Sequence, residues 1–304
     1  MKSVCVLLST YNGEKFLSEQ LESLSRQEKV NLSVFIRDDG SSDNTINIIK
    51  DYIKKDSRFS YYIGENVGPS KSFIDLIKKS DKYDFYAFCD QDDVWDADKL
   101  SVAIEKLNIH DSSKPNLYFS NLRIVDKDLI FIRNSNTKPL TNKRKYSALI
   151  EGMGVGCTMV FNYKTKILIE NYCHNNYYMH DGFLYLLCNI LGNIIYDFEP
   201  HISYRQHDNN VVGTYKNTDF YNKYIVRFLY YFNNIRYTKT SDGYKFLLDF
   251  KSLLSEKDIA KIYKILNYKK SLRNKIKLLL DKDLVCSNLK RELFYIFTVL
   301  TNTL

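Results

Sequence analysis

The residue pattern is that of an α/β protein: a mainly parallel sheet flanked by helices, continued by a helical C-terminal extension. Three observations carry that reading. Short apolar runs alternate with stretches of helical period through the N-terminal third. Polar and acidic turns follow successive apolar runs, as at the carboxyl edge of a parallel sheet, where ligands bind. Beyond Pro200 there is no proline and beyond Gly243 no glycine, while lysine and arginine accumulate.

Residues 4–8 are a continuous apolar run, suited to a strand buried on both faces. Over residues 13–27, Leu17, Leu21 and Leu24 share one helical face. Residues 32–36 read as a second strand ending in Arg37-Asp38-Asp39-Gly40. Ser42 or Asp43 can cap the next helix, where Ile46, Ile49 and Ile53 align. Residues 59–63 read as a third strand. Asn66-Val67-Gly68-Pro69-Ser70 then turns into a helix carrying Phe73, Ile74 and Ile77. Residues 86–89 read as a fourth strand that runs into an acidic cluster, and residues 158–161 as a later one.

A chain of 304 residues can bury a sizeable core without staples. Residues 216–304 hold 18 Lys/Arg against 8 Asp/Glu, while residues 1–215 hold 26 against 28. This shift suggests one globular domain over 1–212 and a basic helical region over 213–304. No apolar run reaches the roughly 18 residues of a spanning helix. The first residues enter a strand-like segment with no leader pattern, so a cytoplasmic location is expected. Six scattered cysteines without a C-x-x-C pair read as buried free thiols.

Chemistry concentrates at the strand ends. In Cys89-Asp90-Gln91-Asp92-Asp93-Val94-Trp95, Asp90 and Asp92 are two apart on an extended chain and project to one side. Paired carboxylates of this kind suit a hard cation, Mg²⁺ or Mn²⁺, that also accepts phosphate oxygens. A solvated acidic turn ahead of a helix has the same spelling. Trp95 reads as packing beneath this turn. The first strand–helix turn lacks G-x-G-x-x-G, which argues against a dinucleotide cofactor. The run Gly152-Met153-Gly154-Val155-Gly156 is either a turn before a strand or a backbone wall that a sugar can approach closely.

Three segments together, Leu8-Ser9-Thr10-Tyr11-Asn12-Gly13, Arg37-Asp38-Asp39-Gly40-Ser41-Ser42-Asp43 and Asp90-Gln91-Asp92-Asp93, resemble in order and spacing the nucleotide-binding half of family 2 inverting glycosyltransferases. That resemblance implies the GT-A fold, a Rossmann-like, mainly parallel sheet, over about residues 1–215. By similarity, Thr10, Tyr11, Asn12 and Asp39 bind the nucleoside, Asp39 accepting from a pyrimidine ring N–H. Asp90 and Asp92 hold the metal–diphosphate, with Asp93 as a substitute ligand. Met179-His180-Asp181 stands where the family carries its base, often as Glu-Asp, so Asp181 is the expected general base and His180 replaces the Glu. Tyr204-Arg205-Gln206-His207, continued by Asn210-Val211-Val212-Gly213, is similar to a signature of bacterial rhamnosyltransferases of surface polysaccharide synthesis. Arg205 is expected on the diphosphate and His207 in the metal shell, with a neutral imidazole satisfied by a backbone carbonyl as the alternative for His207.

The resemblance implies a metal-dependent inverting transferase moving a sugar from a nucleoside diphosphate to a lipid-linked glycan. The favoured donor is dTDP-rhamnose, and a UDP-hexose donor is the alternative. From another class, a nucleic-acid-binding protein would account for the basic C-terminal region but leaves the acidic strand ends unexplained. A glycoside hydrolase would need neither metal nor nucleotide. Lysine and arginine beside Tyr, Phe and Leu clusters at 224–232, 276–280 and 293–300 predict either peripheral contact with the anionic cytoplasmic leaflet or packing of these apolar positions on the catalytic domain or a second subunit.

Overall fold

The computed structural model describes residues 1–135, 142–152, 154–171, 179–207, 241–302 and 304. The chain forms two compact units. One comprises Met1–Thr137, Gly154–Cys173 and His180–Arg205; the other comprises Lys138–Met153, His174–Met179 and Gln206–Leu304. The expected boundary between 212 and 213 lies outside the described residues. The structure also gives the second unit a stretch, 138–153, that composition alone left in the first.

In the first unit a seven-stranded sheet has the order β10-β6-β9-β4-β1-β2-β3. Its strands are β1 Ser3–Thr10, β2 Asn31–Asp38, β3 Phe59–Ile63, β4 Phe85–Cys89, β6 Asn116–Ser120, β9 Val160–Asn162 and β10 Asn193–Asp197. Helices α1 Leu17–Ser25, α2 Thr45–Lys55, α3 Pro69–Lys79, α4 Lys99–Asn108, α5 Tyr163–Glu170 and α6 His180–Leu191 complete the alternation. β1 is parallel to β2 and β4, and β2 to β3. Only β9 runs antiparallel to its neighbours in this sheet, β4 and β6. The register sets Thr10 opposite Asp38 and Leu8 opposite Cys89, so the carboxyl ends of β1, β2 and β4 finish together.

The periodicities explain these elements. Residues 4–8 are all buried, as a central parallel strand requires. Leu17, Leu21 and Leu24 face the sheet from α1. Gly68, at a positive φ of 79°, turns the chain into α3, and Pro69 occupies its first turn. Asn44, not Ser42 or Asp43, stands at the cap position of α2, yet the Asp43 carboxylate accepts the Thr45 N–H at 3.0 Å from one residue earlier. A second sheet was not anticipated: β5 Val94–Trp95, β11 Ile202–Arg205, β7 Arg123–Val125 and β8 Phe131–Asn134, in the order β5-β11-β7-β8.

The second unit, among its described residues, is helical: α7 Ser241–Asp249, α8 Glu256–Leu266, α9 Leu272–Leu279 and α10 Leu289–Leu300. Ser255 and Asp258 form a reciprocal capping box on α8; Ser271 and Asn288 cap α9 and α10. Tyr146, Leu149, Tyr244, Leu247, Ile262, Leu278, Tyr295 and Val299 are buried. A 3₁₀ segment, Asn142–Leu149, is pinned to the helices: the Ser147 hydroxyl donates to the Val285 carbonyl at 2.5 Å. Glu151 just beyond it accepts the Ser287 N–H at 2.7 Å and pairs with Arg291. The five described cysteines (5, 89, 157, 188 and 286) are buried and free, as expected; Cys173 lies outside the described residues. No described helix is long and apolar enough to cross a membrane.

Candidate active site

The site assembles where β1, β2 and β4 end. Gln91, read in the sequence only as a spacer between two aspartates, joins two of the turns. Its Oε1 accepts the Thr10 hydroxyl at 2.6 Å and the Tyr11 N–H at 2.8 Å, and its Nε2 donates to the Tyr11 carbonyl at 3.1 Å. Gly13 is a steric requirement of this joint. A Cβ there would overlap the Gln91 amide and stand 2.9 Å from Thr10 Oγ1. Asn12 joins the first turn to the second, donating its N–H to Ser41 Oγ at 2.8 Å and accepting the Ser42 N–H at 2.9 Å. Tyr11 is 47% exposed, so its ring is free to meet a ligand.

Asp38 and Asp39 are both buried. Asp38 closes its own turn, accepting the Gly40 and Ser41 N–H groups at 3.1 and 2.8 Å. Asp39 accepts the Val67 and Gly68 N–H groups at 3.1 and 2.9 Å and pairs with the buried Arg37 guanidinium. Arg37 also reaches Asp75 at 3.1 Å and the Glu65 carbonyl at 2.9 Å. Of roughly four acceptor positions on a carboxylate, about three are therefore engaged at Asp39.

At the end of β4 the carboxylates crowd. Asp90 is half-buried and Asp93 fully buried. Burial, then the charges of Asp92 and Asp181, lifts the Asp90 carboxyl to about 7. Burial, with Asp92 and Asp90 beside it, lifts Asp93 well above the carboxylate range. Ligand atoms of Asp90, Asp93 and Cys157 lie within 4.8 Å of one another. Asp93 Oδ1 accepts the Arg205 N–H at 3.1 Å, and its buried Oδ2 lacks a hydrogen-bond partner. These groups fit a divalent cation: carboxylates raised by burial and by one another, with one unsatisfied oxygen among them, gain most from a hard positive charge. Burial keeps the Cys157 thiol protonated, so the oxygens are the suitable donors.

Beneath this turn lies a cation the sequence reading missed. Lys99 is fully buried, donates to the Cys157 carbonyl at 2.6 Å and stands 3.0 Å from the centroid of the Trp95 ring. Burial lowers it to about 8, against the raising charges of Cys157, Cys89, Asp93 and Asp90. Trp95 packs under the acidic turn, as expected.

Asp181 opens α6 and its Oδ1 accepts the Gly182 N–H at 2.6 Å. Its charge adds to the upward push on the Asp90 carboxyl. His180 beside it is buried, stacked on Phe73 at 4.1 Å and edge-on to Phe88 at 4.7 Å. Burial pushes it down to about 4, so the imidazole is neutral. Gly156 faces this pair: a Cβ there would lie 2.8 Å from His180 Nε2 and 3.5 Å from Asp181 Cβ. Part of the glycine-rich run thus lies beside the expected base.

Arg205 does not present itself to a diphosphate. It is 2% exposed, and its guanidinium donates to the Asp92 carbonyl at 2.9 Å, to the Lys127 carbonyl and to Glu19, over the Phe16 ring. The reason is topological: β11 delivers Arg205 behind the acidic turn, between α1 and the β7–β8 hairpin. His207 belongs to the second unit, and residues 208–213 of the expected signature lie outside the described residues.

A mainly parallel sheet whose carboxyl edge gathers nucleoside-type turns and an acidic pair is the arrangement of nucleotide-sugar-dependent transferases of GT-A fold. The chain belongs to glycosyl transferase family 2, whose model matches residues 5–164. It is 35% identical, over 238 residues covering 71% of this chain and 76% of the other, to the dTDP-rhamnosyl transferase RfbG of Shigella flexneri. It is 27% identical over 157 residues (52% of this chain, 58% of the other) to WfgD of Escherichia coli, a UDP-Glc:α-D-GlcNAc-diphosphoundecaprenol β-1,3-glucosyltransferase. The crystal structure of Staphylococcus aureus TarS 1–349 in complex with UDP-GlcNAc shares the fold, with a TM-score of 0.52 at 17% identity, covering 98% of this chain and 90% of that one. The protein is a glycosyltransferase.

Proposed function

We propose that the protein transfers rhamnose, with inversion, from dTDP-rhamnose to a growing, lipid-linked surface polysaccharide at the cytoplasmic face of the membrane. The observation that carries the mechanism is the convergence of Thr10, Asp39, the Asp90–Asp93 turn and Asp181. Similarity to a dTDP-rhamnosyl transferase over most of the chain supports the donor. The relative named for a diphosphoundecaprenol-linked substrate supports a lipid-linked acceptor.

In this reading Tyr11 and Asn12 border the nucleoside, and Asp39 uses its remaining acceptor position for the thymine ring N–H. Asp181 takes the proton of the acceptor hydroxyl as its oxygen bonds to the anomeric carbon and the bond to the diphosphate breaks. Mg²⁺ or Mn²⁺ held by Asp90 and Asp92 would supply positive charge to the leaving diphosphate. Arg205 holds the Asp92 backbone in place rather than touching the donor.

The test is a panel of dTDP-, UDP- and GDP-sugars, scored by thermal shift with and without Mg²⁺ or Mn²⁺ and by release of nucleoside diphosphate. dTDP-rhamnose is expected to stabilise most, with turnover abolished by EDTA. Preference for a UDP-hexose would replace the donor assignment with the reading that UDP-named relatives favour. Full activity in EDTA would remove the metal.

A further inference from the structure

We infer that the outward face of α9 and α10 in the second unit is a docking surface for an anionic phospholipid bilayer. The inference rests on the reading of a lipid-linked acceptor for its purpose, and it narrows the expected membrane contact to two helices.

Both helices are apolar on two sides. On α9, Leu278 points into the core of the unit, while Leu272, Ile276 and the following Leu280 recur every four residues on the opposite face. On α10, Tyr295, Thr298 and Val299 are buried, while Leu289, Leu293 and Leu300 form the opposite row. These six outward side chains are exposed by 48% (Ile276) to 75% (Leu280). A helix that only closes a core turns polar residues outward, so the outer rows are unexplained by the packing of the described residues. The helices pack as a pair: Lys275 on α9 donates to the Leu300 carbonyl at the end of α10 at 2.7 Å.

Charge selects the occupant. Residues 268–300 carry eight Lys or Arg against three Asp or Glu. Among the acids, Asp281 is buried and already held by Lys261 and Lys264. Lys269, Arg273, Lys277 and Lys290 are exposed around the leucine rows. Long basic side chains lay their stems on apolar surface and keep their charges at headgroup level. A two-fold contact between copies through this face would set the same basic rim against itself. A bilayer rich in anionic lipid meets both the apolar rows and the rim. With eight residues in α9 and twelve in α10, the helices lie in the interface and cannot span it.

The experiment is flotation of the full-length protein with phosphatidylcholine vesicles, with and without phosphatidylglycerol, at low and high salt. Flotation is expected only with phosphatidylglycerol and is expected to weaken with salt. I276E/L293E is expected to lower binding by more than roughly tenfold, since each glutamate removes an exposed aliphatic side chain from the outer rows and adds a repelled charge. L253E, at an exposed leucine of the same unit outside the rows, is expected to float like the unaltered protein. Thermal midpoints check folding, and K277E/K290E, which leaves the rows intact, should weaken flotation by itself. No flotation of the unaltered protein, flotation indifferent to anionic lipid, or I276E/L293E floating normally would each overturn the inference. So would I276E/L293E converting a dimer to a monomer with vesicle binding unchanged. Transfer to a water-soluble acceptor analogue should survive I276E/L293E. If the unaltered protein shows no such transfer, the proposed function fails while the flotation result stands.

Discussion

Asp92→Asn removes one negative charge from a half-buried side chain and leaves its shape unchanged. If Asp92 helps hold the cation, the variant should melt like the unaltered protein and lose turnover. Retained turnover would take Asp92 out of the metal shell. Asp181→Asn separates chemistry from binding. The asparagine accepts no proton at neutral pH, so the rate on bound donor should fall by roughly 10²- to 10⁴-fold while donor affinity holds. Lost affinity with a normal rate would make Asp181 a binding residue. A third outcome concerns pH. Burial, together with Asp92 and Asp181, puts the Asp90 carboxyl at about 7. Below that value a proton must leave before a cation enters, so affinity for Mn²⁺ should climb as pH rises to about 7 and level off above it. Calorimetric titration with Mn²⁺ on both sides of that value checks the slope; a flat profile would mean that Asp90 is not a ligand.

The strands and helices differ in how plainly the sequence announces them. β1 to β4 and α1 to α3 were readable because a doubly buried strand must be a continuous apolar run and a covering helix must carry an apolar stripe. The β5-β11-β7-β8 sheet was not, since strands of two to four residues are too short to show a period. Nor does any residue pattern record that β9 runs antiparallel: it is buried throughout like its parallel neighbours. At the site, the aspartates were visible by type and spacing, whereas Gln91 and Lys99 act through neighbours from distant segments. Arg205 was visible as a residue but misplaced in role, because its burial depends on the β11 pairing. Gly13 shows the same coupling. Gly13→Ala forces the Gln91 amide to shift and loosens the joint between the β1 and β4 turns. Crowding of this sort costs about 1–3 kcal/mol. Weaker donor binding is expected with a modest fall in thermal midpoint. Unchanged values for both would show that the joint is not needed for binding.

Across the whole chain, each of the two units closes its own core, and the predicted donor-site residues, His207 aside, lie in the first. A ligand that binds only the native form stabilises whatever unfolds together with its site, by about 2.7 kcal/mol at a hundred times its dissociation constant. If the units open separately, that gain stays in the first. Hydrogen exchange read by mass spectrometry, with and without donor nucleotide and Mn²⁺, can measure this unit by unit. Peptides covering β1, β2 and β4, whose exchange requires global opening of the first unit, should slow in proportion to ligand concentration. Peptides covering α8 should not, because their stability comes from the capping box of Ser255 and Asp258 and from Asp281 with Lys261 and Lys264, all within the second unit. Equal slowing in both sets would mean that the two units unfold as one, and the second would then be a structural part of the catalytic fold. Slowing confined to the first would make the helical unit an independently stable module, and its basic, leucine-rowed face could then change without disturbing the chemistry.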